Sequence, residues 1–129
     1  MLGSVRYERR IRRSAGDVWA LAGDPARLHE WFPAIASCTV DGTSRVIVTG
    51  SGMPMPEEIL VRDDTLRRFQ YRVVAPLFRY HRGSIDVVAL DDEECLVVYT
   101  TDADPRPLAL VVGGATAEAL DCLQQIMES

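Results

Sequence analysis

Two side chains of this sequence, Glu57 and His81, combine acid/base chemistry with an apolar setting. Glu57 opens the run Glu57–Arg62, where Ile59 and Val61 alternate with it and turn it toward the same inward face. His81 lies in the run Phe78–Leu90 and shares a face with Ile85, Val87 and Ala89, while Arg82, Ser84 and Asp86 point the other way. A carboxyl and an imidazole facing one cavity is what general acid/base work on an enolisable carbonyl requires, because burial and pairing bring both pKa values toward neutrality. Such a pair could serve an aldol-type cyclisation or a dehydration. Plainer roles compete: His81 as a satisfied cavity or core histidine, and Glu57 as a rim residue or the ion-pair partner of an arginine. Tyr71 shares a face with Phe69 and Val73, and Tyr99 with Val97, so both turn inward. Phenols so placed suit a wall with hydrogen-bonding tips better than catalysis.

Other chemistries are poorly supplied. All 14 basic residues are Arg, so no lysine is available as a base or Schiff-base former. No nucleophile elbow, phosphate-binding loop or dinucleotide fingerprint occurs, and Ser51 sits in a Gly-Ser-Gly loop rather than a strand-to-helix turn. Cys38, Cys95 and Cys122 are far apart and odd in number, which supports neither a disulfide framework nor a zinc site. The acids Asp63-Asp64 and Asp91-Asp92-Glu93-Glu94 read as solvated turns, so no metal is expected. His29 falls on the exposed side of a short helix and is expected to be inert. The net charge of −5 disfavours nucleic acid as a partner.

The elements that must position these residues follow from patterning. Val5–Ile11 alternates as a half-buried strand, and Ser14 then caps a helix with Asp17 in its first turn. Val18, Trp19, Leu21 and Ala22 form its apolar face, and Asp24-Pro25 starts a second short helix that ends at Trp31, Phe32 and Pro33. Ile35–Val40 and Arg45–Thr49 form a hairpin around Asp41-Gly42. The segment from Gly50 to Pro56 reads as a loop. Strands follow at Glu57–Arg62, Arg68–Ala75, Phe78–Leu90, with a bend or bulge expected at Gly83, and Cys95–Thr101. From Leu108 an apolar stripe through Leu110, Val111, Ala115, Ala119, Leu120 and Leu123 predicts a helix of about 20 residues. The pair Gly113-Gly114 interrupts it, as close packing or a gate over a cavity would require. Trp31 and Phe32 either pack where helix meets sheet or form a pocket wall.

This order predicts one α+β domain over residues 1–129: a curved antiparallel sheet of about six to seven strands around a long C-terminal helix, with two short helices after the first strand. So small a core, wrapped in so curved a sheet, leaves a concave and mostly apolar hollow between helix and sheet. The string SAGDVWALAGDPARLHEWFPAI, residues 14–35, resembles the opening of the SRPBCC superfamily in its polyketide cyclase/dehydrase and lipid-transport branch. START lipid-transfer domains and birch-pollen-allergen-like proteins belong to the same superfamily. The likeness continues through Asp63-Asp64, the Phe-Gln-Tyr strand, the His-Arg-Gly-Ser-Ile-Asp-Val strand and the last helix. The short connection from Thr101 to Arg106 departs from it. The resemblance implies a helix-grip fold with a deep hydrophobic cavity for lipids, polyketides or sterols.

The expected function is therefore binding of a hydrophobic or amphipathic small molecule, with Trp31, Ile59, Tyr71, His81, Ile85, Tyr99, Leu110 and Gly114 as the binding residues. An aromatase/cyclase or dehydrase using Glu57 and His81 is the alternative, and a protein-partner module a third reading. No cofactor is expected, and a monomer or homodimer is. The opening MLGSVRYERRIRR has no apolar signal core, and no apolar run approaches the ~20 residues that span a bilayer, so a cytoplasmic protein without stable membrane insertion is expected.

Overall fold

The alternating runs become seven antiparallel strands of a single sheet. The computed structural model describes residues 1–129. It sets the strands in the order β1 (Gly3–Ile11), β7 (Cys95–Asp104), β6 (Tyr80–Ala89), β5 (Arg68–Val73), β4 (Pro54–Asp63), β3 (Ser44–Thr49), β2 (Ile35–Asp41). The first strand thus pairs with the last, from Gly3↔Ala103 to Ile11↔Cys95, and the others form a meander. Between β1 and β2 lie α1 (Ala15–Ala22) and a 3₁₀ turn (Pro25–Glu30), and α2 (Arg106–Glu128) closes the chain. This is the expected helix-grip architecture.

The caps are the ones the sequence announces. Ser14 Oγ accepts from the Asp17 N–H at 3.2 Å, and Asp24 Oδ1 from the Ala26 N–H at 3.0 Å. The second helix is a 3₁₀ turn rather than an α-helix. Only six residues separate Asp24 from Trp31, and both the Trp31 and Phe32 N–H groups return to the Leu28 carbonyl. Trp19 Nε1–H donates to Asp64 Oδ1 at 2.9 Å, so the turn after β4 ties α1 to the sheet instead of only meeting solvent.

Several strand boundaries, and the place of the bulges, differ from the reading of the sequence. β4 begins at Pro54, inside the segment read as a loop. Its two prolines are tolerated because the Pro56 carbonyl accepts from the Val74 N–H, so the missing amide hydrogen lies on the β5 side and costs the β3 ladder nothing. β6 pairs with β7 without interruption from Tyr80↔Asp104 to Ala89↔Cys95, so Gly83 marks no bulge. The register shifts lie instead at Ile35/Ser37 in β2 and at Ile59/Val61 in β4. β7 runs to Asp104, leaving Pro105 alone before α2.

The buried stripe of α2 is Ala109, Gly113, Thr116, Leu120, Leu123 and Met127, spaced by threes and fours. It faces β1 and β7, at one end of the sheet. Gly113 lies so close to β1 that an added Cβ would stand 2.7 Å from Val5 Cγ1, whereas nothing lies within 4 Å of the same position on Gly114. No helix is long and apolar enough to cross a membrane.

The two glycines should therefore answer the same substitution with opposite signs. Gly113→Ala is expected to destabilise by about 1–2 kcal/mol, the helix-propensity gain being outweighed by the clash with Val5. Gly114→Ala should stabilise by about 0.5–1 kcal/mol. Urea midpoints of the two variants decide the matter; a shift of the same sign in both would contradict the packing.

Candidate functional site

A cavity of about 190 Å³ opens where the 3₁₀ turn, the strands β2 to β6 and the first half of α2 fail to meet. Twelve of its fifteen lining residues are hydrophobic; the polar exceptions are Thr49, Glu57 and His81. Leu28 and Phe32 come from the 3₁₀ turn and its exit, Ile35 from β2, Ile47 from β3, Met55 and Glu57 from β4, and Tyr71 and Val73 from β5. His81 comes from β6 and Val111, Val112 and Ala115 from α2. The cavity is open to the surface, as are two larger depressions near 500 Å³ each. One of these is walled entirely by polar and charged residues such as Arg12, Arg13 and Asp91 to Glu94, the other by the β5–β6 loop and the strand ends beside it, where it shares Val73, Phe78 and His81 with the cavity.

Beneath the cavity lies a buried ion pair, of which Glu57 borders the hollow and Arg45 does not. Arg45 on β3 and Glu57 on β4 sit opposite each other in the ladder, with only 2% and 4% of their surfaces exposed. Arg45 Nε–H donates to Glu57 Oε1 at 2.7 Å, and Nη2 lies 2.7 Å from the same oxygen but off the line of a hydrogen bond. Nη1–H donates to the Pro25 carbonyl at 3.2 Å, anchoring the 3₁₀ turn. The guanidinium also lies over the rings of Tyr71 and Phe69, 4.9 and 5.2 Å from their centroids. Burial pushes the Glu57 carboxyl above the usual carboxylate range, and the Arg45 charge and hydrogen bond draw it partly back.

Tyr71 and Tyr99 share a hydrogen bond of 2.6 Å between their hydroxyls, and burial raises both phenols well above their ordinary value. Neither phenol can ionise there at neutral pH. Gly83 makes room for this pair: a Cβ at that position would stand 2.4 Å from the Tyr71 ring, so close approach explains the glycine. His81 is 5% exposed, and its Nδ1 accepts from the Val73 N–H at 3.0 Å. Burial pulls its pKa down to about 4, with Asp102 opposing weakly, so the ring is neutral at pH 7.

Of the residues the sequence singled out, Glu57, Tyr71 and His81 border the cavity together. Trp31, Ile85 and Tyr99 turn inward as their alternation predicts, but they are packed into the core and do not reach the cavity. Trp31 meets Tyr99 at 6.0 Å and Phe32 at 6.3 Å, filling the space a wall would have enclosed. Ile59 is half-buried against the core, beside the register shift of β4. Leu110 and Gly114 require correction: Leu110 is 60% exposed and Gly114 faces open space, because the stripe through Ala109 and Gly113 turns them outward. Their places at the cavity are taken by Val111, Val112 and Ala115. His29 is exposed, its Nδ1 3.1 Å from Cys38 Sγ. The sequence reading did not identify Arg45. Its signal was the β3–β4 hairpin, whose register sets Arg45 against Glu57.

Two measurements test these assignments. Arg45→Met strands a carboxylate in the interior and should cost about 3–5 kcal/mol, whereas Arg45→Met combined with Glu57→Leu should recover most of that loss. A double variant as unstable as the single one would remove the ion pair from its structural role. For His81, the unfolded chain takes a proton near pH 6.5 that the folded chain refuses until about pH 4. The neutral ring therefore contributes stability above about pH 6.5, and that contribution drains away as pH falls toward 4. Between pH 7 and pH 4.5, the wild-type protein should lose about 2–3 kcal/mol more than His81→Gln in denaturant titrations. Equal losses would place the histidine in a solvated setting.

Comparison with known proteins agrees with this architecture. The family described as "Polyketide cyclase / dehydrase and lipid transport" matches residues 3–128. A protein from Thermobifida fusca, solved by NMR, is 32% identical with a TM-score of 0.82, over 96% of this chain and 92% of that one. A START superfamily protein from Mycobacterium smegmatis superposes with a TM-score of 0.80 at 15% identity, over 97% of each chain. The Zhui aromatase/cyclase from a Streptomyces strain gives 0.80 at 18% identity, over 99% of this chain and 94% of that one. At those last two identities the likeness is one of fold. The search of curated proteins finds no significant match. Seven antiparallel strands gripping a long C-terminal helix, with the family match running almost end to end, place the chain in the polyketide cyclase/dehydrase and lipid transport family.

Proposed function

We propose that this protein binds a small, largely apolar molecule in the cavity between the 3₁₀ turn, the sheet and α2. The observation that carries the reading is the lining itself: twelve hydrophobic residues of fifteen around about 190 Å³. An engineered apolar cavity of about 150 Å³ stays dry and takes up benzene, while drug-sized ligands occupy about 300–1,000 Å³. A single-ring compound or a short branched chain matches this volume as it stands. A larger lipid or polyketide would require Val111, Val112 and Phe78 to move outward.

The family and the aromatase/cyclase neighbour keep an acid/base enzyme in view as the alternative. The geometry supports it less. The His81 Nδ1 lone pair is taken by the Val73 N–H and Glu57 Oε1 by Arg45, so Glu57 Oε2 is the one uncommitted basic atom of the two side chains, and the acid/base partnership the reaction would need is not formed between them. Binding uses the site without breaking either contact. The net charge of −5 supports a reading in which nucleic acid is no partner, and the three free cysteines support a reducing compartment such as the cytoplasm.

Native mass spectrometry of gently purified protein is expected to show a retained small molecule. Toluene added to the emptied protein should shift the methyl resonances of Ile35, Ile47 and Val111, and Ala115→Phe, which fills the hollow, should abolish both effects. Binding that persists undiminished in Ala115→Phe, or no shift with toluene, would overturn the reading.

A further inference from the structure

The strands β5 and β6 separate before either one ends. Their ladder runs from Arg68↔Asp86 to Tyr71↔Gly83, although β5 continues to Val73 and β6 begins at Tyr80. The next opposed positions in that register are Arg72 and Arg82, and like charges facing each other across a ladder are unfavourable. One residue further on, the Val73 N–H is met by the His81 ring instead of a backbone carbonyl of β6. The cleft opened in this way is the depression near 500 Å³ beside the β5–β6 loop. Of its ten lining residues, three are Arg72, Arg79 and Arg82, five are hydrophobic, and none is a carboxylate.

Such a concentration of cations stands out in a chain whose net charge is −5. Ten of its 14 arginines have a carboxylate oxygen within 4.0 Å. Arg82 is not among them, although Asp102 stands opposite it in the β7 register. Arg79 holds Asp104 at 3.7 Å, the longest of the ten contacts. Arg72 donates to Glu58 Oε2 at 2.8 and 3.1 Å, yet half of its side chain is exposed. We propose that this cleft binds the carboxylate of a small organic acid, with Arg82 as the principal donor and the apolar body of the acid against Val74, Pro76 and Phe78. The planar guanidinium fork matches a carboxylate in shape as well as charge. A doubly charged phosphate suits the cleft less, because Glu58, Asp102 and Asp104 each neighbour one of the three arginines and limit the excess of positive charge. This second site does not depend on the function given to the apolar hollow, although the two share Val73, Phe78 and His81.

The probes are 4-phenylbutyrate and its neutral amide, 4-phenylbutyramide, which share a body and differ in charge. Titrated into ¹⁵N-labelled protein at low salt, the acid is expected to bind about tenfold more tightly than the amide. It should move the backbone resonances of Val74, Phe78, Tyr80 and Arg82. Arg82→Gln should bring the two affinities together, while Arg62→Gln, which removes the same charge outside the cleft, should leave their ratio unchanged. Added sodium chloride should weaken the acid and not the amide, a reading that needs no variant. The proposal is overturned by equal affinities for the two probes, by no binding of either, or by an equal loss of preference in both variants. It is also overturned if the acid shifts the Ile35 and Ile47 methyls of the hollow in place of the cleft resonances. The toluene titration is read separately, so either site can fail while the other stands.

Discussion

A guanidinium and a carboxylate lie together in the interior of this protein, and the arrangement of the site depends on how their charges are accommodated. Removing each ion from water costs several kcal/mol, which mutual attraction repays only with good geometry and further partners. Arg45 finds those partners in three directions: Glu57 across the β3–β4 ladder, the Pro25 carbonyl, and the faces of Phe69 and Tyr71. Each of these contacts fixes another element. The bond to Pro25 sets where the 3₁₀ turn crosses the sheet, and so where Leu28 and Phe32 stand over the cavity. The stacking on Tyr71 holds that ring flat over Gly83, within reach of Tyr99. One electrostatic requirement thereby positions both the polar floor of the hollow and part of its roof.

The hollow exists because the two covering elements address different ends of the sheet. The buried stripe of α2 faces β1 and β7, with Gly113 allowing the helix to settle against Val5. The 3₁₀ turn packs near β2 at the opposite edge. Strands β3 to β5 lie between, covered neither by the stripe nor by the turn alone. Trp31, Phe32 and Tyr99 fill much of the interval as a cluster of mutually tilted rings. What remains is bounded on the helix side by Val111, Val112 and Ala115, which flank the stripe and are too short to close it.

Much of this was legible in the residues. Strand alternation assigned the correct faces to Glu57, Tyr71, His81, Ile85 and Tyr99, because a period of two leaves only one inward set once the apolar side is known. Alternation does not distinguish a cavity wall from a packed core, since both are apolar and inward. Ile85 and Tyr99 therefore look identical in sequence to Tyr71, which does border the hollow. The helix was harder. Its stripe is nearly continuous in apolar residues from Leu108 to Ala115, so the facing direction was decided by Val5 and Gly113 meeting, a contact between residues more than a hundred positions apart. Leu110 and Gly114 were assigned to the wrong side for that reason. The prolines of β4 concealed a strand because local composition signals a loop, whereas both turn their missing amide hydrogen away from the β3 ladder and leave that pairing intact.

Four enclosed side-chain polar atoms have no hydrogen-bond partner: Trp31 Nε1, Arg45 Nη2, His81 Nε2 and Thr101 Oγ1. They are not equivalent. Arg45 Nη2 is compensated electrostatically by a carboxylate oxygen at 2.7 Å, even though the angle forbids a bond. Trp31 and Thr101 lie in packed interior away from the cavity, where an unmet group is a cost that folding must carry. His81 Nε2 is enclosed as fully as they are, although the side chain that carries it borders the cavity. The space that is open lies against Ile47, Met55, Val112 and Ala115, so apolar walls rather than the unmet donors decide what size of molecule the hollow takes as it stands.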